Sequence, residues 1–126
     1  MNSIEVLEKY WSPSQELPPP VSDTELADIL EGAAEIIDER GWCRNTFADE
    51  AGRLCLMGAV MVDLNRRGLG TGAHYHVVES RLILEFFPES AGGPIGWNDK
   101  SAHDGAQVTD KMRMIAKDLR NRATPE

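Results

Sequence analysis

An apolar stripe at helical spacing in residues 23–39 limits the fold more than any other feature of the chain. Its members recur every three or four residues and would share one side of a helix: Leu26, Ile29, Leu30, Ala33, Ile36 and Ile37. Ser22 and Glu25 fit a capping box at the start, and Gly41 follows the end. A helix with one apolar side must pack on another element, so the stripe predicts a helical core.

Three further segments have helical character. Residues 54–64 are apolar on nearly every side, which predicts a buried helix. Residues 75–87 favour a helix, because the apolar positions Val78, Leu82, Ile83, Phe86 and Phe87 suit helical spacing, although Leu82-Ile83-Leu84 would also suit a buried strand. A last helix should begin near Ser101 or Asp104, which can act as a capping pair, and continue to about Arg122. Its inward residues would be Val108, Met112, Ile115, Ala116 and Leu119.

The chain has 126 residues, which suits one domain. We expect an all-α fold in which residues 22–126 form a single domain, a compact bundle of about four helices. Residues 1–21 would form an N-terminal arm, with a short helix in residues 3–11 as an option and the proline-rich run Leu17-Pro18-Pro19-Pro20 after it.

The net charge of −8 is concentrated in the first half of the chain. Residues 1–50 hold 12 acidic and 3 basic side chains, whereas residues 51–126 hold 9 acidic and 10 basic ones. This distribution argues against direct nucleic-acid binding, which needs clustered Lys and Arg. No apolar run is long enough for a membrane span, and the N-terminus has no secretory pattern, so we expect a cytoplasmic protein whose two cysteines are thiols.

The acidity lies mainly on the outer side of the first predicted helix. Opposite the apolar stripe are six carboxylates, here called the acidic helix face: Glu25, Asp28, Glu31, Glu35, Asp38 and Glu39. Such a row is most often a solvated surface, and otherwise a surface that binds a partner.

Three short motifs stand at predicted helix boundaries: Gly41-Trp42-Cys43, Cys55-Leu56-Met57-Gly58-Ala59 and Gly96-Trp97-Asn98-Asp99. We interpret them as structural. Trp42 and Trp97 would pack at the core edge, with each indole N–H bound to a carbonyl. Gly58 would allow a close helix crossing, and Asn98 and Asp99 would cap the last helix.

The same motifs also permit a small enzyme, with no cofactor required. Cys55 at a helix N-terminus could be a nucleophile with a lowered pKa, helped by Asn98 and by one of His74, His76 and His103. The two cysteines and these histidines could instead bind zinc, but the usual ligand spacings are absent. A Cys43–Cys55 disulfide is a further option, and the Gly68–Gly72 run lacks the Lys-Ser or Lys-Thr of a phosphate loop.

Residues 23–122, with these three motifs, resemble an uncharacterised family of small actinobacterial and bacteriophage proteins. The resemblance implies a compact helical domain of unknown function, often encoded by phages, and carries over no catalytic residue. We therefore expect a non-enzymatic protein-interaction module, such as a phage-encoded modulator or inhibitor that binds a basic surface of a host protein through the acidic helix face. The alternatives are the cysteine or zinc enzyme and a homo-oligomer in which the basic last helix binds the acidic face of a second copy.

Overall fold

The computed structural model describes residues 21–70 and 72–123. These residues are mostly helical, so the predicted all-α class is confirmed. The helices are α1 (Asp23–Arg40), α2 (Leu56–Arg66), α3 (Gly72–Glu85), α4 (Gly93–Gly96) and α5 (Gly105–Ala123), with a π-helical turn, Trp97–Ser101, between α4 and α5. The predicted short helix and proline-rich run of the N-terminal arm lie outside the described residues.

Helix α1 begins and ends where the sequence predicts. The Ser22 hydroxyl accepts a hydrogen bond from the Glu25 N–H at 3.1 Å, and Gly41 adopts a φ of +96°, which the chain needs in order to leave the helix. All six residues of the predicted apolar stripe are buried. They pack mainly against α5 and α2, so α1 supplies one side of each main helix contact.

Helix α5 begins at Gly105, after a cap made by Asp104. The Asp104 Oδ1 atom accepts from the Gln107 N–H at 2.8 Å, while Ser101 belongs to the π-helical turn. The five residues predicted to face inward are all buried. A stripe at helical spacing therefore identified both partners of the main helix contact.

The segment between α1 and α2 is irregular but closely held. Leu54 pairs with Trp42 in a parallel bridge and with Ala48 in an antiparallel bridge. Its N–H donates to Gly41 O at 3.0 Å, and its carbonyl accepts from Cys43 N–H at 3.1 Å. These bonds keep Leu54 and Cys55 extended, so α2 begins at Leu56 rather than at the predicted residue 54, and the Trp42 motif lies beside the α2 start.

Residues 72–85 form a helix, which settles the choice between helix and strand. Val78 and Leu82 are buried, as predicted. Ile83, which also belongs to the apolar pattern of this segment, is exposed. Successive residues of a helix point about 100° apart, so neighbours of Leu82 turn away from the core.

Two arginines connect the C-terminal parts of α3 and α5 to the start of α1. Arg81 Nη2 lies 2.5 Å from Asp23 Oδ1, and Arg122 Nη2 lies 3.1 Å from the same atom. Both arginines also pair with Glu85. Hydrogen bonds from Arg122 and Arg81 lower the pKa of Asp23. The first residue of α1 thus joins three helices.

Two leucines of α3 provide a matched test of its helical packing. Leu82 is 0% exposed and Leu84 is 77% exposed. We expect Leu82→Ala to lower the free energy of unfolding by about 2–5 kcal/mol through loss of burial and the cavity left behind. Leu84→Ala should change it by no more than about 0.5 kcal/mol. Urea unfolding measures both; similar losses would indicate that the two side chains share a face, as in a strand.

Candidate functional site

The Asn98 side chain is the point at which the three sequence motifs meet. It is 0% exposed. Its Oδ1 atom accepts hydrogen bonds from Trp42 Nε1–H at 2.7 Å and from the Leu56 N–H at 3.0 Å. Its Nδ2 atom donates to Cys43 O at 3.2 Å and to Asp99 Oδ1 at 3.0 Å. One amide therefore joins the first motif, the start of α2 and the π-helical turn; we call this set of contacts the motif junction.

Only a carboxamide satisfies the motif junction in this geometry. Its acceptor faces two N–H donors and its donor faces a carbonyl and a carboxylate, so the amide orientation follows from its partners. An aspartate would place an oxygen against Cys43 O and Asp99, and an apolar residue would leave the Trp42 N–H without this partner. Since all four contacts are made in or near the interior, each is costly to lose.

The prediction that Asn98 and Asp99 cap the last helix is wrong. Both residues lie in the π-helical turn, several residues before α5 begins. Asp99 instead accepts from the Asn45 N–H at 2.9 Å. That bond holds Asn45 at a φ of +67°, a left-handed conformation that asparagine tolerates better than most residues. The pair therefore fixes the loop after Trp42 rather than a helix end.

The prediction that Gly58 allows a close helix crossing is also wrong. A Cβ atom at Gly58 would lie 2.1 Å from the backbone oxygen of Phe47, which belongs to the loop before α2. The same oxygen accepts from the Cys55 N–H at 3.1 Å. Gly58 therefore admits the loop backbone against the first turn of α2.

Trp42 and Trp97 both pack partly buried at the edge of the core, as predicted. The Trp42 N–H binds the side-chain amide of Asn98, whereas the sequence had suggested a carbonyl for each indole. The Trp97 ring lies against Phe87, with ring centroids 5.4 Å apart. The two tryptophans thus support different parts of the core edge.

A cleft of about 330 Å³ opens beside the motif junction. We call it the motif cleft, and its walls come from the loop before α2, the α2 N-cap, α4 and the π-helical turn: Asn45, Thr46, Phe47, Cys55, Ile95 and Asp99. Its volume lies at the lower end of the range for small-ligand pockets. The cleft combines an apolar wall with one carboxylate.

The part of the chain that matches a known family extends from α1 to most of α5 and includes the motif junction. The chain belongs to DUF6197, a family of unknown function, which matches residues 21–118. Membership of an uncharacterised family, which the sequence predicts, is therefore confirmed. No curated protein and no solved structure matches this DUF6197 chain. Within residues 21–70 and 72–123, none of the helices has the length and apolar character that crossing a bilayer requires.

Cys55 of the DUF6197 domain is the N-cap of α2, and its Sγ atom accepts from the Gly58 N–H at 3.2 Å. The enzyme alternative requires a lowered pKa at this position, whereas burial raises the pKa of the Cys55 thiol. Burial also raises the pKa of Cys43. Both thiols are free, so the Cys43–Cys55 disulfide option is excluded in this structure.

The histidines do not join Cys55 in the motif cleft. His74 and His76 lie on α3 and His103 precedes α5, and the wall of the cleft contains none of them. Within the described ranges, no cluster of three or more His, Cys, Asp or Glu side chains could hold a metal ion. The geometry therefore offers Cys55 neither a histidine base at the cleft nor a metal.

The acidic helix face is divided by its contacts with α5. Arg120 Nη2 lies 2.6 Å from Asp28 Oδ1 and 2.9 Å from Glu31 Oε2, and Arg113 Nη2 lies 2.5 Å from Asp38 Oδ2. The other three carboxylates are exposed and form no ion pair within the described part of the chain: Glu25, Glu35 and Glu39. Half of the predicted binding face is thus engaged with the protein itself.

Sequence reasoning missed most of the motif cleft. Asn45, Phe47 and Ile95 stand in polar or glycine-rich segments that carried no helical pattern. One signal was present: Phe47 is the only large apolar side chain in residues 44–53, and such a residue in a polar loop is either covered or available for binding. The partners of Phe47 could be found only from the fold.

We expect Asn98→Asp to lower the free energy of unfolding of the DUF6197 domain by about 3 kcal/mol at pH 7, because a buried carboxylate would face Cys43 O and Asp99. Burial raises the folded-state pKa of the new carboxyl above its unfolded value. The deficit relative to wild type should therefore be smallest at about pH 4 and grow as the pH rises towards 7. Urea unfolding across this range measures it.

Asn121→Asp provides the control for this substitution, because Asn121 is exposed on α5. We expect a change within about 0.5 kcal/mol for the control. Equal effects of the two substitutions would show that Asn98 is not a buried hydrogen-bonding centre.

The Cys55 thiol should react slowly in the folded DUF6197 domain. In a Cys43→Ala variant, we expect the reaction of Cys55 with a disulfide reagent at pH 7.5 to be at least about tenfold slower than in urea, because the thiol is buried and its pKa is raised. The rate in the folded protein should still be rising at pH 9. A native rate equal to the rate in urea, or a plateau below pH 8, would indicate an activated thiol.

Proposed function

We propose that this DUF6197 protein is a non-enzymatic interaction module that binds a basic protein surface through the acidic helix face. The observation that carries the proposal is the charge balance on α1. The face carries six carboxylates, and two arginines of α5, Arg113 and Arg120, pair with three of them. Six negative and two positive charges leave the face with a net charge of −4. A localised field of this kind speeds the encounter with a basic partner and weakens with salt.

The ion pairs separate the six carboxylates into three that bind arginines of α5 and three that remain unpaired in the described residues. Asp28, Glu31 and Asp38 attach the outer side of α1 to α5. Glu35 and Glu39 stand one helical turn apart and project into solvent without an ion pair in the described residues, and Glu25 does so at the first turn. We assign partner contact to these three exposed glutamates, with the paired residues adding to the field.

Self-association is less well supported than a foreign partner. The basic residues of α5 that could bind a second copy are largely used within one chain, since Arg113, Arg120 and Arg122 all pair with carboxylates of α1 or α3. Nucleic acid is disfavoured by the same charge balance. Because the resemblance includes bacteriophage proteins, we propose a host protein in the cytoplasm as the partner, and modulation or inhibition of that protein as the outcome.

The enzyme alternative has little support in the geometry. A cysteine nucleophile needs an accessible thiolate and a base within hydrogen-bond reach. Cys55 is buried, its pKa is raised, and the cleft that it lines has no histidine in its wall. A binding module requires none of these features.

Charge reversal of two of the three unpaired glutamates, Glu35 and Glu39 in the C-terminal half of α1, tests the proposal. We expect the double variant Glu35→Lys, Glu39→Lys to abolish capture of basic proteins from a host lysate at about 50 mM NaCl. At this low salt concentration, screening of the attraction between exposed charges is weak. Raising the NaCl concentration to about 300 mM should also weaken capture by the wild-type protein, because salt screens the charges. Tagged protein, affinity capture and mass spectrometry of the retained proteins supply the measurement.

The control carries the same change of net charge elsewhere, with Glu50→Lys and Glu89→Lys on exposed loop positions. It should retain the wild-type partners. If the α1 double variant captures the same proteins as wild type, or if the control loses them equally, the acidic helix face is not the binding surface.

A further inference from the structure

The motif cleft holds a carboxylate whose two oxygens have different surroundings. Asp99 Oδ1 accepts from the Asn45 N–H at 2.9 Å and from Asn98 Nδ2 at 3.0 Å. Its Oδ2 atom accepts no hydrogen bond, and the carboxylate forms no ion pair, within residues 21–70 and 72–123. Because no fully buried side-chain oxygen there lacks a hydrogen bond, Oδ2 keeps some contact with solvent. One oxygen is thus fixed by the protein and the other is presented outward.

Nearby cations do not neutralise this carboxylate. The Arg44 guanidinium donates to Ala102 O and lies over the Trp42 ring at 5.0 Å. Arg53 pairs with Asp49, with Nε 2.6 Å from Oδ2. Both arginines of the surrounding loop are therefore engaged elsewhere, and neither forms an ion pair with Asp99.

The aromatic ring of Phe47 lines the same cleft as Asp99, and its backbone is held in place. Phe47 is 45% exposed and lines the cleft, although it lies in an otherwise polar loop. Its backbone oxygen is held by the Cys55 N–H, and the missing side chain of Gly58 allows that approach. Ile95 contributes a second apolar wall. A carboxylate, an exposed aromatic ring and an aliphatic wall in one cleft match an organic cation with a short alkyl chain.

An anionic ligand does not fit the same cleft. The start of α2 would normally offer free N–H groups and a favourable dipole to an anion. Here the Leu56 N–H is taken by Asn98 Oδ1 at 3.0 Å, and the Gly58 N–H is taken by Cys55 Sγ at 3.2 Å. With those donors occupied and Asp99 charged, an anion would meet repulsion.

We propose that the motif cleft binds an alkylammonium or alkylguanidinium group, with the cation on Asp99 Oδ2 and the alkyl chain against Phe47 and Ile95. This chemistry is shared by free aliphatic amines and by the Lys or Arg side chain of a protein. The site is separate from the acidic helix face of α1, so either one can be disproved without the other.

NMR titration of the full chain tests the proposal with n-pentylamine and with pentan-1-ol as its neutral isostere. We expect saturable shifts of the Asn45, Phe47 and Cys55 amides with pentylamine, and at least about tenfold weaker binding of the alcohol because the charge-assisted contact is missing. Equal responses to the two compounds, or shifts confined to other parts of the chain, would overturn it.

Variants assign the contacts. Asp99→Asn keeps an acceptor for Asn45 and Asn98 but removes the charge, and it should weaken pentylamine binding by at least about tenfold. Glu50→Gln, an exposed acid of the same loop that does not line the cleft, should leave the dissociation constant unchanged within about twofold. Unchanged binding by folded Asp99→Asn protein would overturn the proposal.

Phe47→Leu provides a second variant, at an exposed position where the substitution should not impair folding. It keeps an apolar wall and removes the aromatic face, so pentylamine should bind about threefold more weakly while the alcohol changes little. If the leucine variant binds pentylamine as tightly as wild type, the aromatic face plays no part and the assigned geometry is wrong.

Nα-acetyl-lysine amide separates the two sources of the cation, because it carries an alkylammonium chain on a peptide unit. Binding at least as tight as that of pentylamine supports the side chain of a protein, and weaker binding supports a free amine. If neither cation binds in the cleft, the proposal is overturned for both sources.

Discussion

The buried amide of Asn98 is the interaction on which the arrangement of this protein's motifs depends. It accepts from an indole and from the first N–H of α2, and it donates to a backbone carbonyl and to the neighbouring carboxylate. One side chain therefore joins the first motif, the start of α2 and the π-helical turn, in addition to the backbone bonds of Leu54 with Gly41 and Cys43. Helix packing of α1 on α5 and α2 builds the core, but it does not by itself set the position of the loop between α1 and α2.

The motif junction leaves polar and aromatic side chains exposed on a rigid backbone. Asp99 uses one oxygen to hold Asn45 and retains the other, while Phe47 has a fixed backbone and an open ring. The same division between support and presentation occurs on α1, where some carboxylates bind arginines of α5 and others project into solvent. Both proposed binding surfaces thus consist of side-chain groups that form no hydrogen bond or ion pair within the described part of the protein.

Helices were predictable from the sequence because burial repeats along the chain with the helical period. The stripes of α1 and α5 and the caps at Ser22 and Asp104 are local patterns, so they could be recognised without knowledge of the fold. The roles of Asn98 and Gly58 could not be predicted in this way. Their partners, Trp42 and Phe47, are separated from them by intervening structure, and a helix-cap or helix-crossing role is the usual local meaning of such residues. Similarly, only the fold shows that Arg120 reaches the acidic helix face.

Hydrogen exchange of the indole N–H groups tests the central place of Asn98 most directly. The Trp42 Nε1–H binds Asn98 Oδ1, whereas within the described residues the Trp97 indole has no hydrogen bond to a side chain or carbonyl. We predict that the Trp42 indole and the Leu56 amide exchange slowly and at similar opening free energies, close to that of global unfolding, while the Trp97 indole exchanges much faster. Fast exchange of the Trp42 indole, at the rate of Trp97, would contradict the account.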